Sequence, residues 1–286
     1  EIIMKSLEML HMERVLDKIT HKDLIEFVKL CHQHNVFDSI EIAIAKIETL
    51  LKYYRSKKKD RQDVNELYEL EARWYTSLDS EKPDYSVYSD EYYVCDLWTC
   101  WVIYSRNYIR SLTLPRLPDG STIAADMGEV KTVADLGCGF GYTTAALKQL
   151  FPLADLYGTN IGETPQCSMC KRVGSECGFT VVNDVAEINN EVDLIFASEY
   201  FEHIQPPTVH LDQVIKICNP KYFILANSFG AKSTGHFDTY QTSDKTVSNK
   251  KIGRIFNKTL RENNFMQVPT SNWNNRPSYW KRIEGD

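Results

Sequence analysis

One stretch of the sequence, from Val133 to Tyr142, restricts the fold more than any other. An apolar run over 132–136 is typical of a buried strand, and a run that favours a helix, 143–150, follows closely. Between them stand three glycines at alternate positions, Gly137, Gly139 and Gly141. Glycine permits positive φ and lets a ligand approach the backbone, and the start of a helix presents free N–H groups. This order of strand, glycine turn and helix predicts a nucleotide-binding crossover.

The glycine spacing distinguishes between two kinds of nucleotide site. It is Gly-x-Gly-x-Gly with Asp135 two residues before the first glycine, so it does not match the Gly-x-Gly-x-x-Gly dinucleotide fingerprint. The form Asp-Leu-Gly-Cys-Gly-x-Gly closely resembles the first motif of class I S-adenosylmethionine (SAM)-dependent methyltransferases. In that family the glycine turn lies against the amino-acid part of the cofactor, and the preceding acid helps to bind the ammonium. The resemblance implies SAM as cofactor and contacts to it from Asp135, Gly137, Cys138, Gly139, Gly141 and Tyr142.

The chain after residue 120 alternates predicted strands with predicted helices. The predicted strands are 132–136, 155–161, 179–183, 192–197, 222–227, 265–270 and about 278–283. The predicted helices are 142–150, 163–176, one after Pro206-Pro207, and about 246–263. This alternation favours an α/β fold with a mostly parallel, seven-stranded sheet and helices on both faces. The family resemblance, rather than the spacing, adds a Rossmann-like methyltransferase sheet with a reversed final strand.

The first 80 residues predict an all-helical extension, because no glycine occurs before Gly120 and no proline before Pro83. Apolar stripes indicate one helix before Thr20, a second capped by Thr20, a third capped by Asp38 or Ser39, and a fourth over about 62–78. The predicted units are a helical N-terminal region (1–80), an aromatic helix and linker (81–120) and a SAM-binding methyltransferase domain (121–286). The N-terminal helices could form a lid, a substrate-binding cap or a contact between copies of the chain in a homo-oligomer.

The segment after residue 81 is unusually rich in tyrosine and tryptophan. Asp90 is predicted to cap a helix that runs to about residue 111, with aromatic residues at helical spacing. Either these side chains pack as a stripe on the core, or the helix closes over the cofactor pocket, as a helix before the first strand does in many related methyltransferases. In the second case Arg106 is a candidate partner for the cofactor carboxylate, since a guanidinium binds that group in a bidentate way. A surface arginine is the alternative.

Two further strand ends carry the family pattern, and ligands of open α/β sheets bind at such ends. After the second strand the family usually has an acid for the ribose hydroxyls, where this chain has Asn160 followed by Ile161. Asparagine can still donate to a hydroxyl and accept from it. After the third strand the resemblance assigns Asp184 to the adenine amino group and Val185 to the ring, although an Asp there is also an ordinary helix cap. Glu199, after the fourth strand, completes the predicted cofactor site.

Methyl transfer is an in-line displacement at a sulfonium, and an oxygen or nitrogen acceptor must also lose a proton. Candidate bases are Glu199, His203 and His236. His203 belongs to a Glu-His pair with Glu202 that resembles the family and has a structural alternative. His236 lies in a polar loop after the fifth strand, where acceptor-binding loops often sit.

The acceptor is predicted mainly by exclusion. The sequence lacks the Asp/Asn-Pro-Pro-Tyr/Phe tetrapeptide of amino-directed nucleic-acid methylases and the Pro-Cys nucleophile of the cytosine-5 type, and its net charge of −6 argues against a general nucleic-acid binder. A small molecule, or a sugar- or nucleotide-like group, is therefore the predicted acceptor. One alternative is a nucleic-acid methyltransferase that uses a basic C-terminal face, and another is a non-catalytic partner protein that keeps the fold. The basic residues after residue 244 are Lys245, Lys250, Lys251, Arg254, Lys258, Arg261, Arg276, Lys281 and Arg282.

Cysteine usage and hydropathy set the expected environment. Eight cysteines without a framework suggest reduced thiols and a cytoplasmic protein. Cys167, Cys170 and Cys177 invite a metal interpretation, but no second Cys/His pair stands at zinc spacing and the first two fall on a predicted helix, so no metal site is predicted. No run approaches the roughly 18 apolar residues of a membrane span, so no membrane partner is expected.

Overall fold

The computed structural model describes residues 39–56, 61–80, 82–113, 116–188, 191–272, 274 and 276–283, together with the single positions 26, 29, 33 and 36. Within these ranges, the side chains of residues 55, 61, 63 and 101–111 are not described. The first predicted helix and Thr20, the predicted cap of the second, lie outside the described residues.

The described residues form two sets of regular elements. The helices are α1 (Ile40–Arg55), α2 (Asn65–Ser77), α3 (Glu91–Thr113), α4 (Ile123–Met127), α5 (Tyr142–Leu150), α6 (Pro165–Cys177), α7 (Pro207–Cys218) and α8 (Asn249–Glu262). The strands are β1 (Thr132–Leu136), β2 (Asp155–Thr159), β3 (Thr180–Val182), β4 (Leu194–Ser198), β5 (Tyr222–Ala226), β6 (Thr239–Gln241), β7 (Thr246–Ser248), β8 (Phe265–Val268) and β9 (Ser278–Arg282).

The main sheet has seven strands in the order β3-β2-β1-β4-β5-β9-β8. All neighbours from β3 to β5 pair in parallel, whereas β9 pairs antiparallel with both β5 and β8. Every residue of β1 and β4 is buried, because helices cover both faces of the sheet and continuous apolar runs suit such strands. The predicted α/β fold, with a mostly parallel seven-stranded sheet and a reversed final strand, is confirmed.

Element boundaries agree with the sequence pattern where the local signal is strong. β1 and α5 match their predicted bounds, while β2, β3 and β8 are shorter than predicted. The predicted helix over 246–263 begins at Asn249, because Thr246–Ser248 pairs with Thr239–Gln241 in a separate two-stranded ribbon. This ribbon was missed because its strands, Thr-Tyr-Gln and Thr-Val-Ser, each have a single apolar residue at the centre and therefore no apolar run.

The described helices before the sheet pack partly on one another and partly on the α/β part of the chain. Ser39 caps α1, its hydroxyl accepting from the N–H of Ile42 at 3.2 Å. Asp90 caps α3 as predicted, its Oδ1 accepting from the N–H of Tyr92 at 2.9 Å. α3 packs against both α1 and α5, so it links the helical extension to the helix that follows the glycine turn. Across the described residues, none of the helices has both the length and the apolar character needed to cross a membrane.

Candidate active site

The glycine turn at the carboxyl end of β1 is fixed by its backbone geometry. Its three glycines all have positive φ, namely 64° at Gly137, 54° at Gly139 and 83° at Gly141. The turn is tied to β2, since the N–H of Gly137 donates to Oγ1 of Thr159 at 2.9 Å and the N–H of Cys138 donates to the Thr159 carbonyl at 3.0 Å. Other residue types would adopt these φ values only under strain, so the glycines set the shape of the loop.

Asp135, assigned above to the cofactor ammonium, lies inside the fold at the end of β1. Its side chain is buried, and its Oδ2 accepts a hydrogen bond from Oγ1 of Thr144 at 2.6 Å. Burial raises the pKa of the Asp135 carboxyl to about 7. The residue therefore joins β1 to the first turn of α5 beneath the glycine turn, and direct contact with an ammonium stays a prediction.

Asn160 and Ile161 follow β2, where the family usually has an acid. The hydrogen bonds of Asn160 favour an amide over a carboxylate at this position. Nδ2 of Asn160 donates to the carbonyl of Gly139 at 2.6 Å, and its Oδ1 accepts from the N–H of Ile161 at 2.9 Å. A carboxylate can only accept, so aspartate could not make the first of these bonds. Ile161 is 69% exposed, which leaves a large apolar side chain at a sheet edge where ligands bind.

Asp184 and Val185 lie at the carboxyl end of β3. Oδ1 of Asp184 accepts from the N–H of Ala186 at 2.8 Å, and Oε1 of Glu187 accepts from the N–H of Asp184 at 3.1 Å. These bonds form a capping box, so the ordinary cap interpretation of Asp184 holds. The Oδ2 atom of Asp184 takes no part in that box. Val185 is buried, and the contacts of both residues with adenine stay predictions.

Cys138 and Tyr142 are buried, and their contacts with the cofactor stay predictions. Sγ of Cys138 lies 3.4 Å from Sγ of Cys170, and this contact together with burial raises the pKa of the Cys138 thiol. Cys167 and Cys170 occupy the buried face of α6. The hydroxyl of Tyr142 accepts from Nε1 of Trp98 at 3.0 Å, which fastens α3 to the start of α5. Arg106 lies on α3, and its side chain is outside the described residues.

Tyr200 covers the crevice between β1 and β4, where the strand order changes direction. A Cβ atom placed on Gly137 would lie 2.4 Å from the Tyr200 ring, so the ring rests directly on the glycine backbone. The Tyr200 hydroxyl lies 2.9 Å from Nε2 of His210 on α7. Ligands of open α/β sheets bind at this kind of crevice, which makes Tyr200 a candidate site residue.

A charged cluster lies beside this crevice, at the ends of β4 and β5. Arg276 bonds through one guanidinium nitrogen, Nη2, to Oε1 of Glu199 and, at 2.5 Å, to the hydroxyl oxygen of Ser228. Glu199 has φ of 52°, a left-handed conformation that is uncommon outside glycine. Such conformations concentrate at functional sites.

Glu202, three residues further on, is fully buried. Its Oε1 accepts from the N–H of Ser228 at 2.6 Å, whereas its Oε2 has no hydrogen-bond partner among the described residues. Burial and the neighbouring carboxylate of Glu199 raise the pKa of Glu202. The two carboxyl groups thus need a proton or a cation between them.

Two histidines complete the cluster, and their rings lie 4.7 Å apart in an edge-on arrangement. Nδ1 of His236 lies 2.9 Å from the carbonyl of Ala231, so this nitrogen carries the hydrogen and Nε2 is left unprotonated in the neutral ring. Burial lowers the pKa of His236. Burial and then His236 lower the pKa of His203 to about 3, and the His203 Nδ1 lies 2.9 Å from the hydroxyl of Tyr88. Both imidazoles are therefore neutral at pH 7.

Comparison with known proteins agrees with this arrangement. Residues 134–225, which run from β1 to β5, match the sequence family described as a methyltransferase domain. The fold resembles that of an O-methyltransferase family protein from Burkholderia thailandensis, with 10% identity over 84% of this chain and 73% of that one and a TM-score of 0.56. Residues 134–225 of this chain thus carry a methyltransferase domain. The predicted enzyme class is thereby confirmed, with SAM as its cofactor.

Two other solved structures are more distant in shape. The plantazolicin methyltransferase BpumL, in complex with a monoazolic desmethylPZN analog and S-adenosylhomocysteine (SAH), has 12% identity over 71% of this chain and 81% of that one, with a TM-score of 0.46. A StiE O-methyltransferase fragment has 18% identity over 58% of this chain and a TM-score of 0.40, and the match spans 54% of the fragment. No protein of curated function matches the sequence.

The strand ends of the methyltransferase fit its cofactor on independent structural grounds. The glycine turn has no side chains of its own at three positions beside the crevice, Ile161 offers an exposed apolar surface, and Asp184 keeps Oδ2 outside its capping box. These features suit an amino-acid moiety, an adenine face and an adenine amino group, respectively. The geometry also brings to the site Tyr200, which the sequence places near the strand tip expected to face the acceptor, and Glu202, which was interpreted as structural.

The helical extension covers the loop that carries His236, beside the charged cluster. Nε1 of the fully buried Trp74 donates to the carbonyl of His236 at 2.5 Å. The Trp74 ring also packs edge-on against Phe237, and against Tyr88, whose hydroxyl reaches His203. The loop that carries His236 is thus held between the sheet and α2. A groove of about 960 Å³ lies elsewhere, between α7, α8 and the turn from β6 to β7, with walls that are about equally polar and apolar, and it is separate from the strand ends.

The sequence indicated the residues after β1, β2 and β3 more readily than the charged cluster at the ends of β4 and β5. Trp74 was not predicted as a site residue, and no local motif marks it. Ser228 lies at the end of the fifth strand, which could be expected to line the acceptor pocket, and Arg276 lies in a basic and aromatic segment near the C-terminus that was interpreted mainly as packing of the last strand. Glu202 carried a local signal, the spacing Glu-x-x-Glu-His over 199–203, which was interpreted as structural.

Proposed function

We propose that this methyltransferase modifies a small-molecule acceptor, or a sugar- or nucleotide-like group, held at the ends of β4 and β5. The observation that carries this proposal is the cover formed by Trp74 over the loop of His236. A polar cluster beneath a packed aromatic cover suits a compact acceptor with a few polar groups, as small-molecule sites generally do. An extended nucleic-acid duplex needs an open, basic surface instead.

SAM supplies an electrophilic methyl group on its sulfonium sulfur when it is bound. The chain must then hold the acceptor atom in line with that methyl group and receive the proton that the acceptor loses, while the methyl–sulfur bond breaks and SAH is released. Glu199 and His236 are the proposed proton acceptors. Nε2 of His236 is unprotonated because Nδ1 is committed to Ala231, and Glu199 stands at the tip of β4.

His203 has a supporting role in this proposal. Its lowered pKa keeps the ring neutral, and its contacts with Tyr88 and His236 hold the second imidazole in place. The cover contributed by α2 would also keep water away from the reacting atoms, which strengthens electrostatic interactions inside the site.

The competing function is methylation of a nucleic acid by way of the basic C-terminal face. Lys250, Lys251 and Arg254 are exposed at the start of α8 and form the most concentrated part of that face. Arg276 and Lys281 contribute less to it, since Arg276 is paired with Glu199 and Lys281 with Asp126.

The deciding experiment measures transfer of tritiated methyl groups from SAM to two sets of acceptors. One set contains nucleosides, nucleotides, sugars and phenols, and the other contains single- and double-stranded RNA and DNA oligonucleotides. The triple variant Lys250→Glu, Lys251→Glu, Arg254→Glu is assayed beside the wild type, with SAH binding as the check on folding. We expect transfer to a member of the first set, at a rate that the triple variant preserves.

Transfer to oligonucleotides alone, lost in the triple variant and falling steeply with salt, would contradict the proposal and favour the nucleic-acid alternative. SAH binding without turnover on either set would favour the non-catalytic alternative.

A further inference from the structure

We infer that Glu199, Glu202 and His236 form a binding site for a divalent metal cation. Each offers one ligand atom, and the three atoms lie within 4.8 Å of one another. Glu202 lies within a 3₁₀ turn, Phe201–His203, Glu199 stands two residues before that turn, and His236 comes from the loop between β5 and β6. Among the described residues, these three form the group of histidine, cysteine, aspartate or glutamate side chains whose ligand atoms lie close enough together to share one metal ion.

The strongest sign of a missing partner is the buried carboxylate of Glu202. Its Oε1 is satisfied by the N–H of Ser228, but its Oε2 has no partner in the described part of the chain. A buried charged oxygen without a partner is costly, and buried carboxylates are normally paired or bound to a metal. Because Glu199 faces the same space, a second negative group increases the need for a cation there.

His236 has the arrangement expected of a metal-binding histidine. Metal-ligating imidazoles usually donate their other ring N–H to a carbonyl or carboxylate, which fixes the tautomer and the ring orientation. Nδ1 of His236 does so to Ala231 at 2.9 Å. The ring is further held by the edge-on contact with His203, which is itself anchored by Tyr88. These contacts leave Nε2 directed away from the Ala231 carbonyl with its lone pair available.

Arg276 is a competitor for this role, but it meets only part of the requirement. It contacts Oε1 of Glu199, and the paired side chains are 40% and 30% exposed, so the ion pair is partly screened by water. The contact does not extend to Glu202. The other competitor is a single proton shared by the two carboxyl groups, which would satisfy Glu202 without any metal.

The donor set indicates which cations fit. Two carboxylates and one imidazole combine hard oxygen ligands with one borderline nitrogen, which suits Mn²⁺ and Mg²⁺ better than soft, thiolate-seeking ions. Three protein ligands also leave coordination positions open for water or for another ligand. If the acceptor lies where proposed above, one of these positions would take its oxygen, so this part of the inference rests on the proposed function. With the cation bound, Glu199 and His236 would serve as its ligands rather than as the proton acceptors proposed above. A metal-bound hydroxyl loses its proton more readily, here to water, which would make the enzyme an O-methyltransferase.

The test uses the full chain, treated with EDTA and desalted, and titrated with Mn²⁺ while free Mn²⁺ is followed by electron paramagnetic resonance. We expect one bound ion per chain. Glu202→Gln keeps an oxygen for the N–H of Ser228 but removes the charge, and it should weaken Mn²⁺ binding at least about tenfold, as loss of a ligand does. Glu262→Gln, an exposed change at the end of α8, should bind Mn²⁺ like the wild type.

A second measurement does not depend on any variant. Electron spin-echo spectra of the bound Mn²⁺ should show coupling to one imidazole nitrogen. The inference fails if the EDTA-treated chain takes up no stoichiometric Mn²⁺, as a shared proton would predict, if the bound ion shows no nitrogen coupling, or if folded Glu202→Gln binds Mn²⁺ as tightly as the wild type.

SAH binding is measured on the same samples, so that two failures can be told apart. SAH binding without Mn²⁺ binding overturns the cation site and leaves the proposed acceptor class standing. Mn²⁺ binding with methyl transfer only to oligonucleotides supports the cation site and overturns the proposed acceptor class.

Discussion

Gly137 and Tyr200 show how much of this site depends on single residues. Gly137 combines a φ of 64° with an aromatic ring packed on its Cα, so both its backbone and the space beside it require glycine. The ring belongs to a residue 63 positions later in the chain (200 minus 137). The glycine turn after β1 and the segment after β4 thus meet at the contact between Gly137 and Tyr200.

Gly137→Ala should therefore lower the free energy of unfolding by about 1–3 kcal/mol, since it adds backbone strain and a clash with Tyr200. We also expect SAH binding to weaken by about tenfold or more, which corresponds to about 1.4 kcal/mol. Urea unfolding and calorimetric titration with SAH measure the two effects.

Gly230→Ala is the matched control for this change. A Cβ at Gly230 would meet no atom within 4 Å, so stability should stay within about 0.5 kcal/mol of the wild type. Equal effects of the two substitutions would show that the packing of Tyr200 on Gly137 contributes nothing.

At the scale of elements, the helical extension is attached to the site by its aromatic residues. α2 contributes Trp74, and the 3₁₀ turn Tyr85–Ser89 contributes Tyr88, whose hydroxyl reaches Nδ1 of His203 at 2.9 Å. Tyr85 stacks on Tyr88 with ring centroids 6.4 Å apart, but its own side chain is exposed. Tyr85 and Tyr88 thus lie on one turn but differ in burial, and the hydrogen bond to His203 comes from Tyr88.

Tyr88→Phe should lower the free energy of unfolding by about 1 kcal/mol, because it removes a partly buried hydrogen bond and keeps the ring. Tyr85→Phe, the matched control, should change it by less than about 0.5 kcal/mol. SAH affinity should stay unchanged in both variants, since Tyr88 contacts His203, near the proposed acceptor site and not at the glycine turn. Thermal unfolding with SAH titration checks this, and a large loss of SAH affinity in Tyr88→Phe would argue against this division of the site.

At the scale of the whole molecule, a buried carboxyl group couples global stability to pH. The pKa of Asp135 is about 7 in the folded chain because the group is buried, whereas an unfolded aspartate has a pKa of about 3.9. Between these values the folded chain holds a proton that the unfolded chain has released. Rising pH therefore favours unfolding through this group, by at most about 1.4 kcal/mol per pH unit.

Asp135→Asn should remove this contribution while its amide oxygen still accepts from Thr144. We expect the free energy of unfolding to fall less steeply between pH 5 and pH 7, a range of about two units, in the variant than in the wild type. Urea unfolding across that range gives the slopes. Asp155→Asn, an exposed change at the start of β2, should keep the wild-type slope, and parallel curves for wild type and Asp135→Asn would contradict the assignment.

The sequence alone determined the parts of the molecule that are encoded in contiguous patterns. The apolar run of β1, the three glycines and the start of α5 stand next to one another in the chain, so their local preferences reveal both the structure and the cofactor class. The strand alternation likewise predicted the sheet, because each strand of about five residues has its own apolar run. The strands of the β6–β7 ribbon have one apolar residue each and so lack such a run.

Only the tertiary structure brought together the residues around which we propose that the acceptor binds. Trp74 donates to His236 across 162 positions of sequence, Tyr88 meets His203 across 115, and Arg276 meets Glu199 across 77. Such contacts depend on the order of strands in the sheet and on the path of the loops between them, neither of which leaves a periodic trace in the sequence. The unpartnered oxygen of Glu202 belongs to the same class, because a buried group lacks a partner only in relation to everything packed around it.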